Sequence, residues 1–192
     1  MPTPLRLFLA INLPPAERQA IYDAVAPLRA AARGVAWVAA DKLHLTLKFI
    51  GAQPAEAADA LRAAIAPAAS RAAPATLELG GLGAFPDLRA PRVIWMRVQP
   101  DPRLELLHHD LEIACAEAGY ELDGRTFRPH ITLGRIRERL APPAARALAD
   151  AARGVHYRGR ARAASVEIMV TEQSPRGSRY RALASLVLAG GA

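Results

Sequence analysis

The sequence predicts a mixed fold of strands and helices, α+β or α/β, arranged as two closely packed lobes. Three observations carry this reading. Short apolar strands alternate with alanine-rich helices along the whole chain. A strand that opens "HLTL" at 44–47 is written again as "HITL" at 130–133, one copy in each half. No Gly/Ser linker or run of charge lies between the copies to divide them into independent domains. With 192 residues, 52% hydrophobic and 22% charged, the chain can bury a shared core and is too apolar for disorder.

The elements follow in order. "LRLFLAINL" (5–13) reads as a strand, and Pro14–Pro15 suit a helix first turn, with Glu17 near its positive end. That helix runs to about Arg33 and bends at Pro27. "GVAWV" (34–38) and "KLHLTLKFIG" (42–51) are the next strands, the second ended by Gly51. Residues 54–72 form a helix, and "ATLELGGLGAF" (75–85) a strand ending in glycines. "PRVIWMRV" (91–98) opens the second half as a strand. Residues 101–119 follow as a helix stopped at Gly119, with Leu104, Leu107 and Leu111 as its buried stripe. The loop "YELDGRTFRP" leads into "HITLGRI" (130–136). A helix over 142–154 and two strands, "ARAASVEIMVTEQ" (161–173) and "YRALASLVLAG" (180–190), complete the chain.

The formal charge of +7 permits a polyanionic partner such as nucleic acid. Lys42 and Lys48 are the two lysines, so arginine supplies 23 of the 25 basic residues. Its planar fork suits phosphate oxygens better than lysine does. The lone Cys115 excludes an internal disulfide and a thiolate metal cluster, and its apolar helical setting makes it a buried structural thiol. The first residues lack the basic start and long apolar run of a secretory signal, and no stretch approaches a membrane span. The expected location is the cytoplasm.

An apolar strand has no packing reason to carry a histidine, and this chain repeats the oddity. Alternate residues of a strand share a face. Leu43, Leu45, Leu47 and Phe49 therefore form an apolar row, with His44, Thr46 and Lys48 on the other side. In the second copy Ile131 and Leu133 face the core while His130 and Thr132 point away. If the lobes face each other across a cleft, two imidazoles and two hydroxyls meet. Histidines near their ordinary pKa can hold opposite protonation states at neutral pH, one taking a proton and one giving it. The threonine hydroxyls can hold phosphate oxygens as they gain charge. That is a site for phosphoryl chemistry without a metal. The H-E-x-x-H spacing of a zinc site is absent, as is the G-x-x-x-x-G-K-[ST] loop of an ATP-driven enzyme. Of the five histidines, His108 and His109 read as a solvated helix surface and His156 as structural.

These motifs identify a resemblance. "RLFLAINLP" (6–14), "WVAADKLHLTLKFIG" (37–51), "PRVIWMRV", "FRPHITLGRI" (127–136) and "QSPRGSRYRAL" (173–183) resemble, in order, segments of the two-histidine (2H) phosphoesterases. Within these the chain is similar to the bacterial and archaeal RNA 2′,3′-cyclic phosphodiesterases, earlier described as 2′-5′ RNA ligases. The resemblance covers nearly all of residues 1–192. It implies an α+β, bilobal, pseudo-two-fold domain in which two antiparallel sheets flank a central cleft and helices pack outside. It implies hydrolysis of an RNA terminal 2′,3′-cyclic phosphate to a 2′-phosphate, with no metal and no cofactor. His44 would be the proton donor to the leaving 3′ oxygen and His130 the acceptor that activates water. Thr46 and Thr132 would bind the phosphate.

Arg135 matches an arginine that this family often places near the phosphate, but strand parity puts it on the wrong face, so the chain must turn or bulge after Gly134. Phe8, Phe49 and Phe127 are candidates to stack the terminal base. Parity assigns Phe49 to the core, whereas Phe127, in the loop entering the second strand, can border the cleft. Trp37 and Trp95 read as packing, and Lys48 as a neutraliser of an RNA phosphate or a solvent-facing side chain. The expected partner is RNA ending in a 2′,3′-cyclic phosphate, tRNA fragments among the candidates, with no membrane and a monomer as the working unit. The alternatives are 2′-5′ RNA ligation or another cyclic or 2′-5′ nucleotide phosphodiesterase activity at the same site, or an RNA-binding module without turnover. Ligation is the hydrolysis reversed, with a 5′-hydroxyl in place of water, so the motifs do not separate the two.

Overall fold

A computed structural model describes residues 4–174 and 177–190. The strands are β1 (Leu5–Asn12), β2 (Ala36–Trp37), β3 (His44–Gln53), β4 (Ala75–Phe85), β5 (Val93–Val98), β6 (His130–Arg135), β7 (Arg158–Ala163), β8 (Ser165–Ser174) and β9 (Gly177–Val187). The helices are α1 (Pro15–Ala24), α2 (Ala26–Ala31), α3 (Ala57–Arg71), α4 (Pro102–Glu117) and α5 (Pro142–Arg153). Every strand pairing is antiparallel. The strands run in the order β7-β4-β5-β6-β3-β1-β8-β9, with β2 added to β6.

This α+β architecture has two four-stranded halves, β7-β4-β5-β6 and β3-β1-β8-β9, that meet where β6 lies beside β3. The junction is short: Leu45 pairs with Ile131, after which β2 takes over the edge of β6 through Trp37 and Gly134. The two expected sheets are thus joined into one.

One face of this sheet is buried under the helices. Leu7, Leu9, Leu45, Ile94, Ile131 and Ile168 from the strands share a core with Ile21, Leu28, Leu61, Ile65, Leu107 and Leu148 from the helices. The opposite face, called the open face below, carries a small buried apolar cluster of Phe8, Ala10 and Met169 with Tyr180 packed against it. β1 lies between these layers, which is why both of its alternating rows are apolar.

Local chemistry accounts for several helix boundaries. Pro15 starts α1, whose missing N–H costs nothing in the first turn, and the helix breaks at Val25 before Ala26–Pro27 start α2. The Asp101 side chain caps α4 by accepting from the N–H groups of Arg103 and Leu104. Gly119, with φ of +88°, follows its end.

Three expectations on strand extent are corrected. β2 is reduced to two residues. β3 does not stop at Gly51 but passes through it to Gln53, because Gly51 takes φ of +89° and Ile50 is an extra residue opposite β1. β4 spans Ala75–Phe85 as expected, and Gly80 and Gly81 within it form an irregularity opposite β5. The stretch 161–173 is two strands, not one. β7 is the outer strand of one half, and after Ala164 the chain enters β8 in the other half. Residues 175–176, within the resembling segment 173–183, lie outside the described residues.

Candidate active site

His44 and His130 are the first residues of β3 and β6. Around the Leu45–Ile131 pair, the antiparallel register sets His44 opposite Thr132 and Thr46 opposite His130. The four residues are half-buried and alternate with the fully buried Leu45 and Ile131, so all four occupy the open face. A local two-fold relation thus brings together the two His/Thr pairs.

The imidazoles are held alike. His44 Nδ1 lies 2.7 Å from the carbonyl oxygen of Lys42, and His130 Nδ1 lies 2.6 Å from that of Arg128. A carbonyl only accepts, so Nδ1 is the donor in both rings. This fixes the tautomer and leaves Nε2 of each ring to exchange protons. Each ring is also walled by two aromatic side chains. Phe8 and Tyr180 both stand with ring centroids 5.2 Å from His44. Phe85 and Trp95 lie 5.1 and 6.2 Å from His130. Trp95 departs from the expectation of packing alone. It does pack on Phe85, but it also borders His130, and it can do so because Gly83 has no side chain: a Cβ there would meet the indole at 2.2 Å.

Burial is the chief influence lowering the pKa of both histidines below 6.5. The carbonyl acceptors oppose it by favouring the protonated rings, and the cation of Arg135 reinforces it at both sites. His130 depresses His44 further.

A bulge explains how Arg135 reaches this face. Ile94 pairs with Gly134 and Trp95 with Thr132, which leaves Leu133 as an extra residue on β6. Parity reverses there, one residue before the expected position, and Arg135 returns to the face of His130. β3 has the same device: Leu9 pairs with Lys48 and Ala10 with Thr46, leaving Leu47 extra. Each H-x-T-L motif therefore bulges at its final leucine.

The second bulge overturns two expectations. Lys48 does not share the His44 face. It is 3% exposed on the helix side, where its Nζ lies 2.7 Å from Glu112 Oε2. Phe49, assigned by parity to the core, is 61% exposed. Its ring stands 6.3 Å from that of Phe8, which itself flanks His44. Phe127 is also corrected. Its ring stacks on His108 of α4 at 3.9 Å, on the helix side, and does not border the histidines. The stacking attraction between these two rings outweighs the loop's nearness in sequence to His130. Phe8 is 3% exposed and offers no free ring face.

His108 is half-buried and His109 exposed, as a helix surface would have them. Cys115 is fully buried, and burial pushes its thiol up to about 11, as suits a structural residue. Among the described residues no three His, Cys, Asp or Glu side chains converge as a metal site would require. None of the helices among these residues is long and apolar enough to cross a membrane.

A profile of the 2′-5′ RNA ligase superfamily matches residues 14–175. The chain belongs to this superfamily. It is 36% identical over 135 residues to the RNA 2′,3′-cyclic phosphodiesterase of Geobacillus stearothermophilus, a match covering 70% of this chain and 43% of that protein. The chain thus spans less than half the length of that relative. Among solved structures, TT0787 of Thermus thermophilus superposes with a TM-score of 0.80 at 29% identity, covering 96% of this chain and 98% of that one. Escherichia coli LigT complexed with 3′-AMP gives a TM-score of 0.72 at 31% identity, with the same coverage. Membership in the superfamily agrees with the paired H-x-T-x strands and with the α+β fold of these neighbours.

Proposed function

We propose that this chain hydrolyses the terminal 2′,3′-cyclic phosphate of RNA to a 2′-phosphate by acid–base catalysis at His44 and His130, without a metal. One observation carries the reading: two imidazoles on facing strands, each with Nδ1 committed to a carbonyl and Nε2 left for proton transfer. In the reaction, His130 Nε2 takes a proton from water as its oxygen attacks phosphorus. The P–O3′ bond breaks in line, and Nε2–H of His44 protonates the departing oxygen. The 2′-phosphate remains. Thr46, Thr132 and Arg135 hold the non-bridging oxygens, the arginine by two parallel hydrogen bonds.

Binding of the substrate sets the protonation states. Burial and Arg135 keep both rings neutral-leaning in the free protein. An anionic phosphate between them offsets both influences and favours the protonated form of His44. The neutral ring of His130 remains the base.

The surroundings support an RNA substrate. Phe49 offers an exposed ring to a terminal base. Arg97 pairs across the strands with His130 and is exposed, and Arg158, Arg160 and Arg162 of β7 are exposed along the same face. Glu78 pairs with Arg160 at 2.9 Å. The other three guanidinium groups supply a basic surface for backbone phosphates. The G. stearothermophilus relative named as an RNA 2′,3′-cyclic phosphodiesterase, and the LigT structure holding a nucleotide, agree with this reading.

The test is turnover of a short RNA ending in a 2′,3′-cyclic phosphate in excess EDTA, comparing the wild type with His44→Ala and His130→Ala. Conversion to a 2′-phosphate by the wild type alone is expected. Salt-sensitive RNA binding unchanged in both variants, with no turnover by any protein, would make the open face a reader of RNA instead.

A further inference from the structure

Beneath the open face, on its helix side, lies a buried polar cluster that the proposed chemistry does not use. Lys48 Nζ donates to Glu112 Oε2 and to the carbonyl oxygen of Glu121, both at 2.7 Å. Glu112 Oε2 also accepts from the backbone N–H of Asp123 at 3.1 Å. Lys48 and Glu112 are 3% and 6% exposed. His108 Nε2 lies 3.8 Å from the second carboxylate oxygen of Glu112, which has no hydrogen-bond partner, and the same imidazole stacks on Phe127.

These contacts converge on one segment. Residues 120–129 form no helix or strand, yet they deliver the chain to His130. The ion pair holds the segment at Glu121 and Asp123, and His108 holds it at Phe127. Arg128, next in line, supplies the carbonyl that fixes the His130 ring. At the other end of the cluster, Lys48 sits on β3 just past the Leu47 bulge, four residues from His44. The path therefore runs from one histidine strand, through α4, to the approach of the other.

Stability alone does not explain a buried ion pair. Two charges lose their hydration there, and well-packed apolar residues of similar size commonly serve the fold as well or better. What apolar residues cannot do is receive the Glu121 carbonyl and the Asp123 N–H at fixed points. We propose that the Lys48–Glu112 pair is a positioning device that sets the placement of His130 relative to His44 by pinning residues 121–123. Lys48 and Glu112 are positioning residues and contact no substrate. The proposal rests on the two-histidine reading for its effect on rate, since displacements near 1 Å in such a site cost about a hundredfold.

The experiment compares Lys48→Met, Glu112→Leu and the double variant for thermal unfolding, for kcat and KM on the cyclic-phosphate RNA, and for the His130 titration followed by NMR. Each single variant strands a buried partner and is expected to unfold at lower temperature than the double variant. The double variant is expected to unfold near the wild-type temperature, with kcat down about ten- to a hundredfold, KM within about twofold, and a shifted His130 titration. A folded double variant with wild-type kcat and an unmoved titration overturns the proposal. Should the double variant fail to fold, amide exchange in the wild type decides: Asp123 N–H protected relative to its exposed neighbours supports the pin, and equal exchange overturns it. Wild-type protein that leaves the RNA uncleaved would sink the phosphodiesterase reading, while the titration and the amide exchange would still judge the pair.

Discussion

Phe49 and Arg135 are counterparts. Each stands five residues beyond the histidine of its half, and each is turned onto the open face by a bulge at the leucine that closes its motif. The two-fold relation of the strands is therefore kept in backbone and broken in chemistry. One side presents an exposed ring, the other a cation that influences both imidazoles. An aromatic face suits a base and a guanidinium suits a phosphate, so under the proposed function this asymmetry would orient a nucleotide in an otherwise symmetric site.

Phe49→Ala is expected to raise KM for the RNA with little change in kcat. Stacking on an aromatic side chain contributes about 1–3 kcal/mol per base, so the rise is about 5- to 150-fold. The unfolding temperature should barely move, because the ring is already largely in water. Steady-state kinetics on the cyclic-phosphate RNA check this, and an unchanged KM removes Phe49 from the site.

Arg135→Ala should lower kcat by about a hundredfold, the usual loss when a donor to a developing phosphate or oxyanion charge is removed. It should also move the pH profile. Arg135 depresses both histidines, so its loss raises both pKa values and carries both limbs of a bell-shaped curve to higher pH. Arg135→Lys keeps the charge and loses the fork, and should leave the limbs nearly in place while kcat falls. A profile that stays put in the alanine variant would place Arg135 away from the imidazoles.

Stability should also depend on pH through the same groups. His44, His108 and His130 all have folded pKa values below the ordinary 6.5, with burial as the first cause. A lowered histidine means that the unfolded chain binds protons more readily. Stability is then complete above about pH 6.5 and falls as pH drops from there towards the folded pKa values. Thermal unfolding between about pH 7.5 and 5 should show this decline, and His44→Gln should flatten it. An equal slope in that variant would mean that His44 is not buried as described.

Arg158→Glu with Arg162→Glu should raise KM for an RNA of about ten or more nucleotides by about tenfold while leaving a 2′,3′-cyclic mononucleotide unaffected. It should also reduce the salt dependence of RNA binding by roughly one unit of slope for each phosphate that is no longer neutralised. Binding titrations at several salt concentrations check this. Equal effects on both substrates would tie these arginines to the reacting phosphate or to the fold.

Much of this protein is legible before any tertiary contact is considered. The two H-x-T-L strands, the helices with their proline starts, the Asp101 cap and the Leu104, Leu107 and Leu111 stripe all follow from local rules of period, capping and steric preference. So does the pairing of His44 and Thr46, and of His130 and Thr132, on one face, because a two-residue period holds over three residues. It fails one step later. A bulge exists only as a mismatch between neighbouring strands, so nothing within "HLTLKF" announces that Leu47 is surplus to its partner β1. Past that residue the period-two rule assigns Lys48 and Phe49 to the wrong faces, until the extra residue Ile50 restores it.

The remaining differences have the same origin. "ARAAS" carries no turn signal at Ala164, and the break between β7 and β8 is imposed by their membership of opposite halves of the sheet. Phe127 is near His130 along the chain but finds its ring partner on α4. Glu112 looks like a solvated helix residue until Lys48 is turned towards it. Sequence by itself determined which residues are the candidates for chemistry and which strands carry them. Only the tertiary structure decided which way the side chains beyond each motif face, because that depends on cross-strand registers and ion pairs between residues far apart in the chain.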